Sequence, residues 1–160
     1  MKKLAILTVL LLTLLQTVAF AYTTAEVFPK DNEKRYYSVG NHLACFECLN
    51  YIKIVKLNDL STSYLISASS NIDPTYSYSK QEAEIRIDGT TYNLQIGKTT
   101  SLLEFGIPSI SVTVNVPPDI TDKINAANEV SIRFYRYNRY PDEITLPPEY
   151  LDEWKKVIKI

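Results

Sequence analysis

The segment Ser109–Val116 alternates without a break: Ile110, Val112, Val114 and Val116 take every second position, and Ser111, Thr113 and Asn115 stand between them. Successive side chains of a strand point to opposite faces, so this pattern buries one face and wets the other. A slip of one residue would carry four branched side chains into water, which fixes the register. Pro117 and Pro118 stop the run. The same period returns in Ala83–Asp88, where Ile85 and Ile87 alternate with Glu84, Arg86 and Asp88, and again after Gly89 in Tyr92, Leu94 and Ile96. Asp88-Gly89 between two such runs is a hairpin turn, because the primed turns need positive φ and glycine adopts it without steric cost. These segments commit the chain to antiparallel sheet.

Weaker signals extend the pattern. Tyr51, Ile52, Ile54 and Val55 make Phe46–Lys56 a strand, and the turn Leu57-Asn58-Asp59 leads into Thr62–Ser69, where Tyr64, Ile66 and Ala68 share a face. Cys45, Cys48, Leu49, Ile52 and Val55 also fit one face of a helix, but the β-branched content favours the strand. Glu129–Arg136 returns as a strand with Val130, Ile132 and Phe134 inward. Tyr22–Asn41 is expected to be a loosely held opening segment with one short strand. Asn71–Gln81 reads as an exposed loop, and Gly97–Pro108 as a loop tucked against the core through Leu102, Leu103, Phe105 and Ile107.

Two helices are expected. Asp119–Ala127 brings Ile120, Ile124 and Ala127 to one side, and Glu149–Ile158 does the same with Leu151, Trp154, Val157 and Ile158. Glu149, Asp152 and Glu153 suit the positive end of the second helix dipole. The predicted fold is mainly β: an antiparallel β-sandwich or curled sheet of about 6–8 strands with two short helices, the C-terminal one docked on the sheet with Trp154 buried.

The opening of the 160-residue chain has a different character. Lys2 and Lys3 precede an apolar run, Leu4–Leu15, interrupted only by Thr8 and Thr13, and Ala19-Phe20-Ala21 offers small residues where a signal peptidase reads. A dozen apolar residues are too few to cross a membrane, which takes roughly 20. Residues 1–21 are therefore expected to be a removed signal peptide, and residues 22–160 a single β-rich domain. So short a signal points to a bacterial periplasm, or to the medium outside the cell. No later stretch reaches spanning length.

Without Lys2 and Lys3 the balance is 15 basic against 18 acidic groups, a formal net charge of −3. Scattered lysines on an acidic chain argue against nucleic acid as a partner, since phosphate-backbone affinity comes from a concentrated basic face.

Cys45 and Cys48 are the only cysteines, and His42 precedes them. In an oxidising compartment a local disulfide is expected, within a small loop over Ala44–Cys48 that ends where a strand begins near Leu49. Residues three apart on a strand lie about 10 Å from each other, too far for a bridge, so the bond requires the loop. A thiol-disulfide oxidoreductase using Cys45 and Cys48 is the alternative, although the Cys-x-x-Cys lacks a preceding βαβ pattern. A metal site would need a fourth ligand, and the one histidine is already used.

Arg133, Tyr135, Tyr137 and Arg139 recur with period two and would project from one sheet face as a stripe of rings and guanidinium groups. Such a stripe can stack on sugars or fork onto an acidic partner; it can also pair with Glu or Asp across strands as an ordinary solvated face. With no nucleophile elbow, zinc-helix motif or phosphate loop, and 4 glycines in all, no catalytic residue and no cofactor is assigned. The expected role is a non-enzymatic binding or envelope-associated module whose partner is an envelope protein or a glycan.

Overall fold

The computed structural model describes residues 21–40, 47–70, 78–104, 107–136 and 142–160. They form nine strands: β1 (Ala21–Phe28), β2 (Glu33–Gly40), β3 (Glu47–Lys56), β4 (Thr62–Ser70), β5 (Tyr78–Ile87), β6 (Thr90–Glu104), β7 (Ile107–Val116), β8 (Val130–Arg136) and β9 (Asp142–Thr145). Two helices, α1 (Pro118–Ala126) and α2 (Pro148–Lys159), complete the list. All pairings are antiparallel, in the order β1-β2-β3-β4-β7-β6-β5-β8-β9. Of the two expected architectures, the single curled sheet is the one formed.

Local chemistry explains the turns. Asp88 and Gly89 take φ of 44° and 85°, the paired positive values of a primed hairpin turn. The Asp88 carboxylate accepts the backbone N–H of both Asn128 and Glu129 at 2.9 Å, tying this turn to the chain entering β8. Each helix starts with proline at its first position, where the missing N–H costs nothing.

Strand β6 is shared. Thr90–Gln95 pair with β5, and Ile96–Glu104 pair with β7, with a register shift between Ile96 and Lys98. Gly97 stands at that shift; a Cβ there would meet the Asn115 amide at 3.0 Å. The bend turns one long strand into the joint between a β1–β4–β7 half and a β5–β8–β9 half, and the inner faces of both feed one core. Leu49, Tyr51, Ile66, Val112 and Val114 from the first half join Ala83, Ile85, Ile132 and Phe134 from the second.

Helix α2 packs on β1, β2 and β3, and α1 on β4. Trp154 is fully buried, with its ring 5.0 Å from that of Tyr51. The Tyr51 hydroxyl meets Thr121 of α1 at 2.9 Å, so one tyrosine bridges the sheet to both helices. Lys155 of α2 donates to the carbonyl of Ala127 at 2.7 Å, linking the helices.

Several expectations are corrected. The opening segment is a full hairpin, β1 with β2, because Thr23, Ser38 and Tyr36 pack or bond under α2 even though their sequence lacks a clean apolar alternation. Tyr78–Gln81 belong to β5 rather than to a loop. Residues 97–104 and 107–108, expected as a loop, extend β6 and β7 into a long ladder. Strand β3 runs Glu47–Lys56, as its β-formers over Phe46–Lys56 predict, and so starts two residues before Leu49, where the small cysteine loop was expected to end. The short β9 was unmarked in the sequence: its inner residue Ile144 pairs with Ile132, and its outer Glu143 with Arg133.

Candidate functional site

The face of β5, β8 and β9 turned away from the core holds the predicted stripe. Ile132 and Phe134 point inward, so Ser131, Arg133 and Tyr135 point out. The register sets Glu84 of β5 directly opposite Arg133 on one side and Glu143 of β9 opposite it on the other. Arg133 donates to Glu143 at 2.6 Å and to Glu84 at 3.3 Å. The Tyr135 hydroxyl donates to the second Glu84 oxygen at 2.5 Å, and Ser131 donates to Glu143 at 3.1 Å. Arg86 and Thr91 complete the rim of a shallow recess over this row.

The electrostatics follow from the pairing. Hydrogen bonds from Arg133, then from Ser131, hold the Glu143 carboxyl below its ordinary value. The bond to Glu84 pushes the Tyr135 hydroxyl above the usual phenol value, since ionisation would set two anions against each other. The Arg133 guanidinium is raised as well, because the Glu143 carboxylate that accepts from it stabilises its charged form. The sequence showed a basic, aromatic stripe; the sheet interleaves it with acids from two other strands. Glu84 was legible as an outward residue of its hairpin, but Glu143 lies in a segment with no strand signal of its own.

Of the four stripe residues, the structure brings Arg133 and Tyr135 together on β8; Tyr137 and Arg139 lie outside the described residues. So does Cys45. Cys48 has its backbone within β3, paired with Ser69, so the strand takes in a residue expected to close the loop. Among the described residues no group of three or more His, Cys, Asp or Glu side chains is placed to hold a metal ion, and no helix is long and apolar enough to cross a membrane.

A second recess, about 290 Å³, opens where β4 begins and β7 ends beside α1, between Tyr64, Val116, Pro117 and Pro118. Its walls come from two distant segments, which is why no local sequence pattern marks it.

Compared with protein-family models, with curated proteins and with solved structures, the chain matches none.

Proposed function

We propose that this chain is an exported, non-enzymatic binding module of the cell envelope, with Arg133 and Tyr135 at the centre of its binding face and with Tyr137 and Arg139 as further binding residues. The observation that carries the reading is the row Glu84–Arg133–Glu143 with Tyr135 beside it. Cross-strand pairing holds donors and acceptors alternately on a rigid surface, and little side-chain entropy is left to lose on binding. The same pairing favours one of the two ligand classes. A guanidinium already shared by two carboxylates has little left to offer an acidic partner, whereas alternating acceptors and donors beside a tyrosine ring suit the hydroxyls and apolar faces of a sugar. A glycan is thus preferred over an acidic envelope protein.

Export rests on the tripartite pattern of Met1–Ala21. N-terminal sequencing of the mature form should begin at Tyr22; a chain kept in the membrane fraction with Met1–Ala21 attached would defeat it. The binding reading is tested on a glycan array, with a pull-down from envelope extract beside it, using the wild type, Arg133→Ala and Tyr135→Ala/Tyr137→Ala. A thermal melt first establishes that each variant folds. Loss of the bound glycans in both variants is the expected result, and an unchanged set would remove this face as the site.

A further inference from the structure

The sheet ends on two strands that treat their free edges differently. β9 is four residues long and follows Pro141, while Pro147 and Pro148 come soon after it, so it offers few backbone groups to a newcomer. β1 runs eight residues without a proline and carries a single charged side chain, Glu26. It pairs with β2 on one side and ends the sheet on the other. Two of its large apolar side chains stand in water: Tyr22 is 48% exposed and Val27 57%. Edge strands of this length are ordinarily blunted by charge, bulge or proline, because their unpaired N–H and C=O groups template another strand. β1 is also held stiffly, since the Thr23 hydroxyl donates to the buried Glu153 carboxylate of α2 at 2.7 Å.

We propose that β1 is a dimerisation strand, and that its occupant is the β1 of a second copy of this chain, antiparallel, with Ala25 opposite Ala25 across a two-fold axis. The proposal rests on removal of Met1–Ala21, which makes Tyr22 the first residue. A two-fold axis normal to the sheet keeps each face on its own side, so a residue can oppose only residues of its own parity. Centring the pair on Glu26 would set two carboxylates against each other, which is destabilising. Centring it on Thr24 leaves Val27 and Phe28 without partners in the mature chain. Centring it on Ala25 matches every residue from Tyr22 to Phe28: Tyr22 with Phe28, Thr23 with Val27, and Thr24 with Glu26.

That register covers both exposed apolar side chains. The Tyr22 ring comes beside Phe28, whose own ring already carries the Arg35 guanidinium 4.2 Å from its centroid. Val27 comes beside Thr23, a β-branched pair. No like charges oppose. The result is two nine-stranded sheets joined edge to edge, with both copies of α2 on the same side. An interface built on one strand pair is small, so the dimer forms in a concentration-dependent way.

The test uses the exported chain, with its start at Tyr22 verified by intact mass. Sedimentation equilibrium from low to high micromolar protein should show the average mass rising from one copy toward two. Ala25→Lys, an exposed position, should keep the wild-type melting curve and remain a single copy throughout. Ala25→Cys should form a covalent dimer on mild oxidation through the two introduced thiols, because directly opposed residues bring Cα atoms to about 5 Å, within disulfide reach. Peptide mapping separates that bond from any involving Cys45 or Cys48. A wild type that stays monomeric, an Ala25→Lys variant that still dimerises, or an Ala25→Cys variant that links no faster than Leu60→Cys at an exposed turn would each overturn the proposal. A chain that keeps Met1–Ala21 and stays monomeric counts against export and this pairing together; a Tyr22 start with a monomer counts against the pairing alone.

Discussion

Tyr51 and Tyr135 stand on opposite kinds of surface and use the same hydroxyl for opposite ends. Tyr51 lies under both helices, fully buried, and its hydroxyl meets a neutral partner, Thr121. Burial drives its ionisation far above the ordinary phenol range, so it stays a neutral pillar. Tyr135 lies on the outer face of the other half and donates its hydroxyl hydrogen bond to a carboxylate, Glu84. The helix-covered half is held by shape and apolar contact around Tyr51, with the carboxylates of Glu33 and Glu153 paired at its margin, whereas the outer face of the β5–β8–β9 half is ordered by charge. Burial makes a region costly to alter, and solvent makes the same residue types cheap to change.

Four measurements break or sharpen this contrast, from the largest expected effect to the smallest. Trp154→Ala removes the ring that Tyr51 packs against and should cost about 3–5 kcal/mol in a denaturant melt, the range for a buried large aromatic. A loss under about 1 kcal/mol would make α2 a loose tail and dissolve the distinction between the two regions. Tyr51→Phe keeps the ring and leaves the Thr121 hydroxyl without its partner, so about 1 kcal/mol should be lost.

The third measurement is the acid limb of stability. Hydrogen bonds from Lys56, then Arg35, hold Glu33 below its ordinary value of 4.5. Burial alone would raise Glu153, but its bonds from Lys156 and Thr23 outweigh that and lower it too. A carboxyl whose folded value is depressed stabilises fully above its unfolded value, and that contribution is lost as pH falls through the folded one. The midpoint of urea unfolding should therefore hold steady above about pH 5 and drop below about pH 4.5. Glu153→Gln, on the buried side of α2, should flatten that drop more than Glu143→Gln on the outer face. The reverse order would mean that the exposed row, and not the covered half, carries the acid sensitivity. Smallest of all, Tyr135→Phe should leave the melting temperature nearly unmoved, and any glycan binding proposed for that face should weaken with it.

How much of this was legible depended on whether a strand's neighbours lay close in sequence. Ile85, Ile87, Val112 and Val114 announced their faces through alternation, and all are buried in the core. Trp154 declared itself by helical spacing. The β1–β2 hairpin did not, since its buried side chains include Ser38, which accepts the backbone N–H of Tyr51 at 2.8 Å, and Glu33, which is paired with Arg35 and Lys56. Polar residues satisfied by distant partners look like loop in a one-dimensional reading. The row around Arg133 was half legible for the same reason: the stripe is local, but its acids arrive from β5 and β9.

The bend at Gly97 has a consequence in time. Because β6 gives its first six residues to one half and the rest to the other, neither half can close its ladder until that strand is seated. β5 must then wait for β8, which follows only after β7 and α1 have been made. Such long-separation pairings place a domain among the slow folders, on the order of milliseconds to seconds.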